Sequence, residues 1–431
     1  MEDITNIINH LKTHNLFLTG GAGVGKSFNT NKIIDYYRKE DMGVVALGST
    51  GISAVNIGGF TLHSFFIFGI SNNFNELQES DRRNRKKITN LKKILKATSL
   101  IIIDEISMVS TELLDMIYFR LENLRYNGKV MFVGDFFQLP PVTKYKQNNQ
   151  LLDNALYAFE SLSWHKFNLI VIELKQMKRT KDMKFTNILH KIRIGICDNE
   201  VISYLSHLKD NNSLNNREPT LLFGRNQEVE RTNRIELNKL HSEETILFSN
   251  TIISQDINPK RLESWKKLLP ILHMLILKVG VPILFTVNKW DEFVNGERGK
   301  LIAIEDDYLR IQKSSGEIIR VERYDFDLLD MQVKDDGSIE SVSLATVSQF
   351  PIKLAYAVTI HKSQGMSIDN LICNVDNIFA PSQFYVAISR AINPNNLKID
   401  FNRGNFVGYL QHIIKVDNRV VDYYRDITLN P

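Results

Sequence analysis

The stretch Gly20-Gly21-Ala22-Gly23-Val24-Gly25-Lys26-Ser27 constrains this chain more than any other. It fits G-x-x-x-x-G-K-[ST], a loop that cradles phosphates only when a buried strand leads into it and a helix leaves it. Asn15-Leu16-Phe17-Leu18-Thr19 reads as that strand. Residues 26–40 read as that helix, with Phe28, Ile33, Ile34 and Tyr37 near a 3.6 spacing. Glycines let the backbone turn its N–H groups inward, which makes a nest for anionic oxygens at a helix N-terminus. Gly21, Ala22, Gly23, Val24, Gly25, Lys26 and Ser27 would then enclose a nucleoside triphosphate. In that arrangement Lys26 neutralises the β- and γ-phosphates and Ser27 ligates Mg²⁺.

The rest of the chain supplies a setting for such a loop. At 431 residues it has room for two or three domains. Candidate buried strands at 44–48, 99–103, 130–133 and 169–173 alternate with helical patterns, the signature of an α/β fold with a mostly parallel sheet. Residues 66–97 interrupt that alternation. Within them Arg82, Arg83, Arg85, Lys86, Lys87, Lys92, Lys93 and Lys96 form a run without an acid, which suits either a phosphate backbone or a solvated helix face. After Arg179 the pattern is helical to about residue 208, then a polar loop at 210–216 and a strand near 220–223. Residues 275–326 carry short strands punctuated by Gly280, Gly296, Gly299 and Gly316, which reads as a small β insertion. The α/β pattern returns at about 350.

Composition narrows the function classes. The net charge of +4 says little about partners, so the local basic run carries that argument. Cys197 and Cys373 lie far apart with no Cys or His at ligand spacing, which argues against a zinc site or disulfide framework and suits a reducing, intracellular compartment. Met1-Glu2-Asp3 lacks the basic and apolar regions of a signal peptide. The most apolar stretch, 268–285, is broken by Pro270, His273, Lys278, Gly280 and Pro282, so no membrane span is expected.

Two further segments extend the nucleotide reading. Leu100-Ile101-Ile102-Ile103-Asp104-Glu105 is an apolar strand ending in two carboxylates. Beside a phosphate loop, Asp104 would hold Mg²⁺ and Glu105 would polarise the attacking water. Met131-Phe132-Val133-Gly134-Asp135-Phe136-Phe137-Gln138-Leu139-Pro140-Pro141-Val142 is a second buried strand running into a rigid turn, where the amide of Gln138 could sense a γ-phosphate.

Asp104-Glu105-Ile106-Ser107-Met108 and the Gly134–Val142 segment resemble motifs II and III of the PIF-type superfamily 1B DNA helicases, relatives of the RecD-like and phage Dda-like enzymes. Other segments follow in the same order. Residues 48–59 resemble motif Ia, and Thr61-Leu62-His63-Ser64-Phe65-Phe66 the next DNA-contacting segment. Glu173-Leu174-Lys175-Gln176-Met177-Lys178-Arg179 resembles motif IV, residues 359–367 motif V, and residues 383–391 motif VI. The resemblance spans residues 20 to 391.

It implies two RecA-like domains with ATP and Mg²⁺ between them: a first at 1–176 with a wedge insertion at about 66–97, and a second at 177–274 plus 346–431. An SH3-like insertion would occupy 275–345. It implies catalytic roles for Lys26, Asp104, Glu105, Gln138, Arg179 and Arg390, with the two arginines closing on the γ-phosphate, where such a charge is worth roughly 10³ or more in rate. Gly365 would join the nucleotide site. Ser49, Thr50, His63, Ser64, Phe65, His361, Lys362 and Ser363 would line a path for single-stranded DNA; for the phenylalanines, core packing is the favoured reading, since aromatics are mostly buried. The expected activity is 5′-to-3′ translocation on single-stranded DNA by a monomer, with unwinding of forked or 5′-tailed duplexes in replication, recombination, repair or telomere-type maintenance. A protein-stripping translocase and an ATP-switched DNA scaffold remain as alternatives. The family's adenine-reading Gln ahead of the loop has no counterpart, since residues 1–19 contain only Asn6, Asn9 and Asn15 as amides.

Overall fold

The computed structural model describes residues 4–69, 74–141, 156–212, 218–255, 257–289, 292–334 and 339–429. Met1–Asp3, Val142, the start of the wedge insertion at 70–73 and most of the expected polar loop at 213–216 lie outside the described residues.

Six parallel strands form the first sheet: β1 (Asn15–Thr19), β2 (Val44–Gly48), β3 (Phe60–Thr61), β4 (Leu100–Asp104), β5 (Lys129–Val133) and β6 (Leu169–Glu173). Their order is β3-β2-β4-β5-β1-β6. Every residue of β4 is buried, as expected of a strand covered on both faces. The order puts the C-terminal ends of β4, β5 and β1 side by side, and these ends carry Asp104, the Gln138 turn and the phosphate loop. Asn15 ties the opposite end together: its Nδ2 donates to Phe167 O at 2.7 Å and its Oδ1 accepts the Val130 N–H at 2.8 Å. That amide is therefore committed to the sheet.

The helix Lys26–Lys39 buries Thr30, Ile33, Ile34 and Tyr37. Phe28 departs from the expected apolar face. It lies about 140° around the helix from Ile33, is 53% exposed, and has the Lys32 ammonium 4.9 Å from its ring centroid. The wedge insertion contains the helices Phe74–Arg83 and Arg85–Ala97. The second buries Leu91, Ile94 and Leu95 and turns its lysines outward, so six of the eight basic residues form one face of an amphipathic helix, and Arg82 and Arg83 end the helix before it. Buried Arg120 grips Asp81 through both Nη atoms at 2.5 and 2.8 Å, which pins the first wedge helix to the helix Thr111–Asn123.

A second parallel sheet begins at β7 (Thr220–Phe223). The chain then leaves it for antiparallel strands: β8 (Glu244–Phe248), β9 (Asn250–Ile253), β10 (Met274–Lys278), β11 (Pro282–Phe285), β12 (Arg298–Ile304), β13 (Tyr308–Lys313), β14 (Ile318–Glu322), β15 (Tyr324–Val333), β16 (Ile339–Gln349) and β17 (Ile352–Leu354). Turns at Gly280, Gly296 and Gly316 have φ of 93°, 86° and 91°. β18 (Ala357–Thr359), β19 (Leu371–Asn374) and β20 (Leu397–Asp400) then complete the second sheet in the order β18-β7-β19-β20.

Strand pairing crosses two expected boundaries. β8 pairs with β10 and β9 with β16, so the β insertion starts near 244 rather than 275. The helix Asn418–Leu429 follows the second sheet, yet Val420 is buried in the core of the first unit. A strand half open to solvent and a helix that docks on a distant segment take their partners from tertiary packing, which local pattern does not carry. Among the described residues no helix is long and apolar enough to cross a membrane.

Candidate nucleotide and DNA site

The phosphate loop leaves β1 with Gly20, Gly23 and Gly25 at φ of 139°, 80° and 95°. Side chains there would be strained and at two of the positions would also collide: a Cβ on Gly20 would fall 2.4 Å from Leu174 O, and one on Gly23 would fall 2.7 Å from Arg179 Cβ. Lys26 bends back to donate to Gly20 O at 2.6 Å and Gly21 O at 2.9 Å. Burial pushes its ammonium pKa down, against the pull of the Asp135, Glu105 and Asp104 carboxylates.

Asp104 and Glu105 stand at the end of β4. Burial, reinforced by Glu105, pushes Asp104 up to about 7. Burial also raises Glu105, while Lys26 and Arg390 oppose that rise. Glu105 adopts φ 54° and ψ 49°, a left-handed conformation uncommon for a side-chain-bearing residue, and its N–H donates to Asp104 Oδ1 at 2.9 Å. Gln138 is buried, and its N–H closes a turn onto Asp135 O at 2.8 Å. The Gly134 N–H donates to Leu18 O at 3.1 Å, so the start of that turn is tied to the strand that feeds the phosphate loop.

The second unit reaches this site through three side chains. The Arg179 and Lys178 N–H groups donate to Gly23 O at 3.1 and 2.8 Å, while the Arg179 guanidinium donates to Ser389 O at 2.6 Å and Ser367 Oγ at 2.9 Å. Arg179 thus spans the phosphate loop and the segments resembling motifs V and VI. Burial, with Arg390 nearby, pushes it down to about 9. Arg390 is 2% exposed and is held by Val386 O at 2.9 Å and Ser389 Oγ at 3.0 Å. Tyr385 Oη accepts the Ala22 N–H at 2.8 Å, a direct bond from the second unit to the loop.

Two charged residues at the site escaped the sequence reading of roles. Asp135 is fully buried and paired with Arg193, at 3.1 Å from Nε and 3.0 Å from Nη2. The Arg193 guanidinium also lies 4.8 Å from the Phe137 ring centroid. Asp135 lies inside a quoted motif, but Arg193 sits on an ordinary amphipathic helix and carries no local signal. At Gly365, expected at the nucleotide, a Cβ would lie 3.9 Å from Asn56 Nδ2.

The expected DNA residues divide into available and committed groups. His63 and Ser64 are exposed on a cleft of about 1080 Å³ between the wedge helices, the helix Pro259–Lys266 and β15. Lys86, Lys87, Lys260 and Arg261 also line it, and Arg261 pairs with Asp330 at 3.7 Å. Lys362 is exposed, and His361 stacks on Phe379 with ring centroids 6.3 Å apart. Phe379 is 65% exposed, an aromatic surface that the motif pattern did not single out. Partial desolvation by the surrounding protein lowers the pKa of both His63 and His361.

Three of the expected DNA residues have side chains committed within the protein. Phe65 is 6% exposed and packs on Phe60 and Phe66, so its ring is core rather than an open stacking platform. Ser363 is fully buried and its hydroxyl donates to Ile360 O at 2.8 Å, which removes it from a strand passing outside. Thr50 spends its hydroxyl on a capping box with Ser53, accepting the Ser53 N–H at 3.1 Å. Ser49 Oγ is buried with no hydrogen-bond partner among the described residues.

Comparison with known proteins agrees with this geometry. The family described as PIF1-like helicase matches residues 1–202, and one described as helicase matches residues 309–413. The chain is 46% identical over 424 residues to the ATP-dependent DNA helicase Pif1 of Campylobacter jejuni, covering 95% of this chain and 94% of that protein. It superposes on Bacteroides sp Pif1 in complex with ADP-AlF4 with a TM-score of 0.82 at 28% identity, covering 99% of this chain and 97% of the other. Against Bacteroides Pif1 in complex with ADP-AlF3 and ssDNA the TM-score is 0.66 at 28% identity, covering 100% and 97%. The chain as a whole superposes better on the former. The expected family and two-unit α/β fold are borne out: the chain belongs to the PIF1-like helicase family.

Proposed function

We propose that this ATP-dependent DNA helicase translocates 5′ to 3′ on single-stranded DNA and parts forked or 5′-tailed duplexes, using Mg²⁺ with ATP. The observation that carries the reading is Arg179. Its backbone bonds the phosphate loop and its guanidinium bonds Ser367 and Ser389, so a change at the phosphates is felt by the second unit.

In this reading the moving units are the first sheet with its wedge, the second sheet with its helices, and the β insertion that interrupts the second. ATP draws the Lys26 ammonium from the Gly20 and Gly21 carbonyls onto its phosphates. Glu105 would take the proton of the attacking water; burial raises its pKa toward that of a base, while Lys26 and Arg390 favour its anion. Gln138 reads the γ-phosphate, and Arg179 and Arg390 neutralise charge as it develops. The donor set fits Mg²⁺: the Ser27 hydroxyl and the Asp104 carboxylate are hard oxygen ligands, and two adjacent buried carboxylates favour a cation. No group of three or more acidic, His or Cys ligands occurs among the described residues, so phosphate oxygens and water would complete the shell. The ion would supply charge neutralisation and orientation of the phosphates.

On the DNA side, His63, Ser64, His361 and Lys362 would meet the strand, and Phe379 would stack a base. The wedge lysines would meet duplex phosphates. The setting is intracellular. The test is ATP turnover with and without single-stranded DNA. Multiple turnovers accelerated by DNA support the reading, and one round per molecule contradicts it.

A further inference from the structure

The helix Asn418–Leu429 comes after the second unit but docks on the first. Arg419 reaches Glu160 at 3.2 Å, and the Tyr423 ring stacks on Phe159 with centroids 4.3 Å apart. This docking brings Tyr424 to the catalytic edge of the first sheet. Its ring stacks on Phe137 with centroids 4.7 Å apart. Its Oη accepts the Phe136 N–H at 3.2 Å and lies 2.6 Å from Thr19 Oγ1. A phenol can accept and donate at once, so one hydroxyl serves both neighbours. Thr19 ends β1 immediately before the phosphate loop, and Phe136 begins the turn that carries Gln138. Burial, reinforced by Asp135, raises the phenol pKa and keeps it neutral.

We propose that Tyr424 is a positioning residue for ATP hydrolysis, its single hydroxyl setting the spacing between the phosphate loop and the Gln138 turn. It touches no reacting atom. Because it rides on a helix tethered to the second unit, that spacing is linked to where the second unit stands. The inference rests on the helicase reading above.

Three variants of the full chain test it. Tyr424→Phe keeps the ring on Phe137 and removes the hydroxyl. Thr19→Val removes the partner on the loop side. Tyr423→Phe removes a hydroxyl from the next ring of the same helix and serves as the control. The readouts are DNA-stimulated kcat, KM for ATP and melting temperature. The two bridge variants should each lose about tenfold in kcat with KM within about twofold, and the control should stay within about twofold of wild type. Bridge variants within about twofold of wild type in kcat would overturn the proposal, as would a control that loses as much or a loss that follows melting temperature across all three. Wild type without DNA-stimulated turnover would instead defeat the underlying helicase reading.

Discussion

The nucleotide cleft and the wedge cleft are built by opposite means. The first is tight and partly shielded from water: Asp104 and Arg390 are buried, Lys26, Glu105 and Arg179 are half-buried, and backbone bonds fix most of their positions. The second is open, about 1080 Å³, and built from segments remote in sequence that present the exposed His63, Ser64, Lys86 and Lys87. Charges in a shielded cleft act strongly and depend on sub-ångström placement, whereas charges on an open wall act weakly, additively and subject to salt. Single substitutions should therefore be severe in the first cleft and graded in the second.

The largest effect is expected at Lys26. Lys26→Ala should lower DNA-stimulated phosphate release by roughly 10³-fold or more and abolish unwinding. A variant that still unwinds a tailed duplex would remove the nucleotide cleft from the account. Next, Arg390→Ala should lower kcat by on the order of 10³ while changing KM for ATP far less, since its charge acts on the transition state. Steady-state kinetics separate the two constants, and a change confined to KM would make Arg390 a binding residue.

The open path should respond more gently. Phe379→Ala should weaken single-stranded DNA binding by roughly 5- to 100-fold, the range set by removal of one base–aromatic stack. Fluorescence anisotropy with a labelled oligonucleotide checks this, and an unchanged affinity would take Phe379 off the path. The smallest effect is expected at the wedge. Replacing Lys86 and Lys87 with Ala should reduce the slope of log affinity against log salt on forked DNA by about 1.8, at ~0.9 for each duplex phosphate no longer neutralised. An unchanged slope would return the basic run to a solvated helix face.

The same contrast explains what was legible in the sequence. The strands at 44–48, 169–173 and 220–223 were expected and stand where the pattern put them, because strands of a parallel sheet read as continuous apolar runs. The phosphate loop and the Asp104-Glu105 pair were visible for a similar reason: backbone geometry there demands particular residues at fixed spacing. Asp135–Arg193, Tyr385 on Ala22 and Tyr424 on Thr19 join residues 58, 363 and 405 positions apart. Nothing local marks such pairs. The DNA path was least legible, since motif position cannot tell an exposed His63 from a buried Phe65 two residues later.

Central to the mechanism is that ATP hydrolysis in the tight cleft drives directional strand separation at the open one. The most direct measurement is unwinding of two otherwise identical duplexes, one with a 5′ single-stranded tail and one with a 3′ tail, in the presence of ATP and Mg²⁺. The expected result is ATP-dependent separation of the 5′-tailed duplex and little or none of the 3′-tailed one. Separation of the 3′-tailed duplex alone, or of neither while DNA-stimulated hydrolysis proceeds, would contradict it.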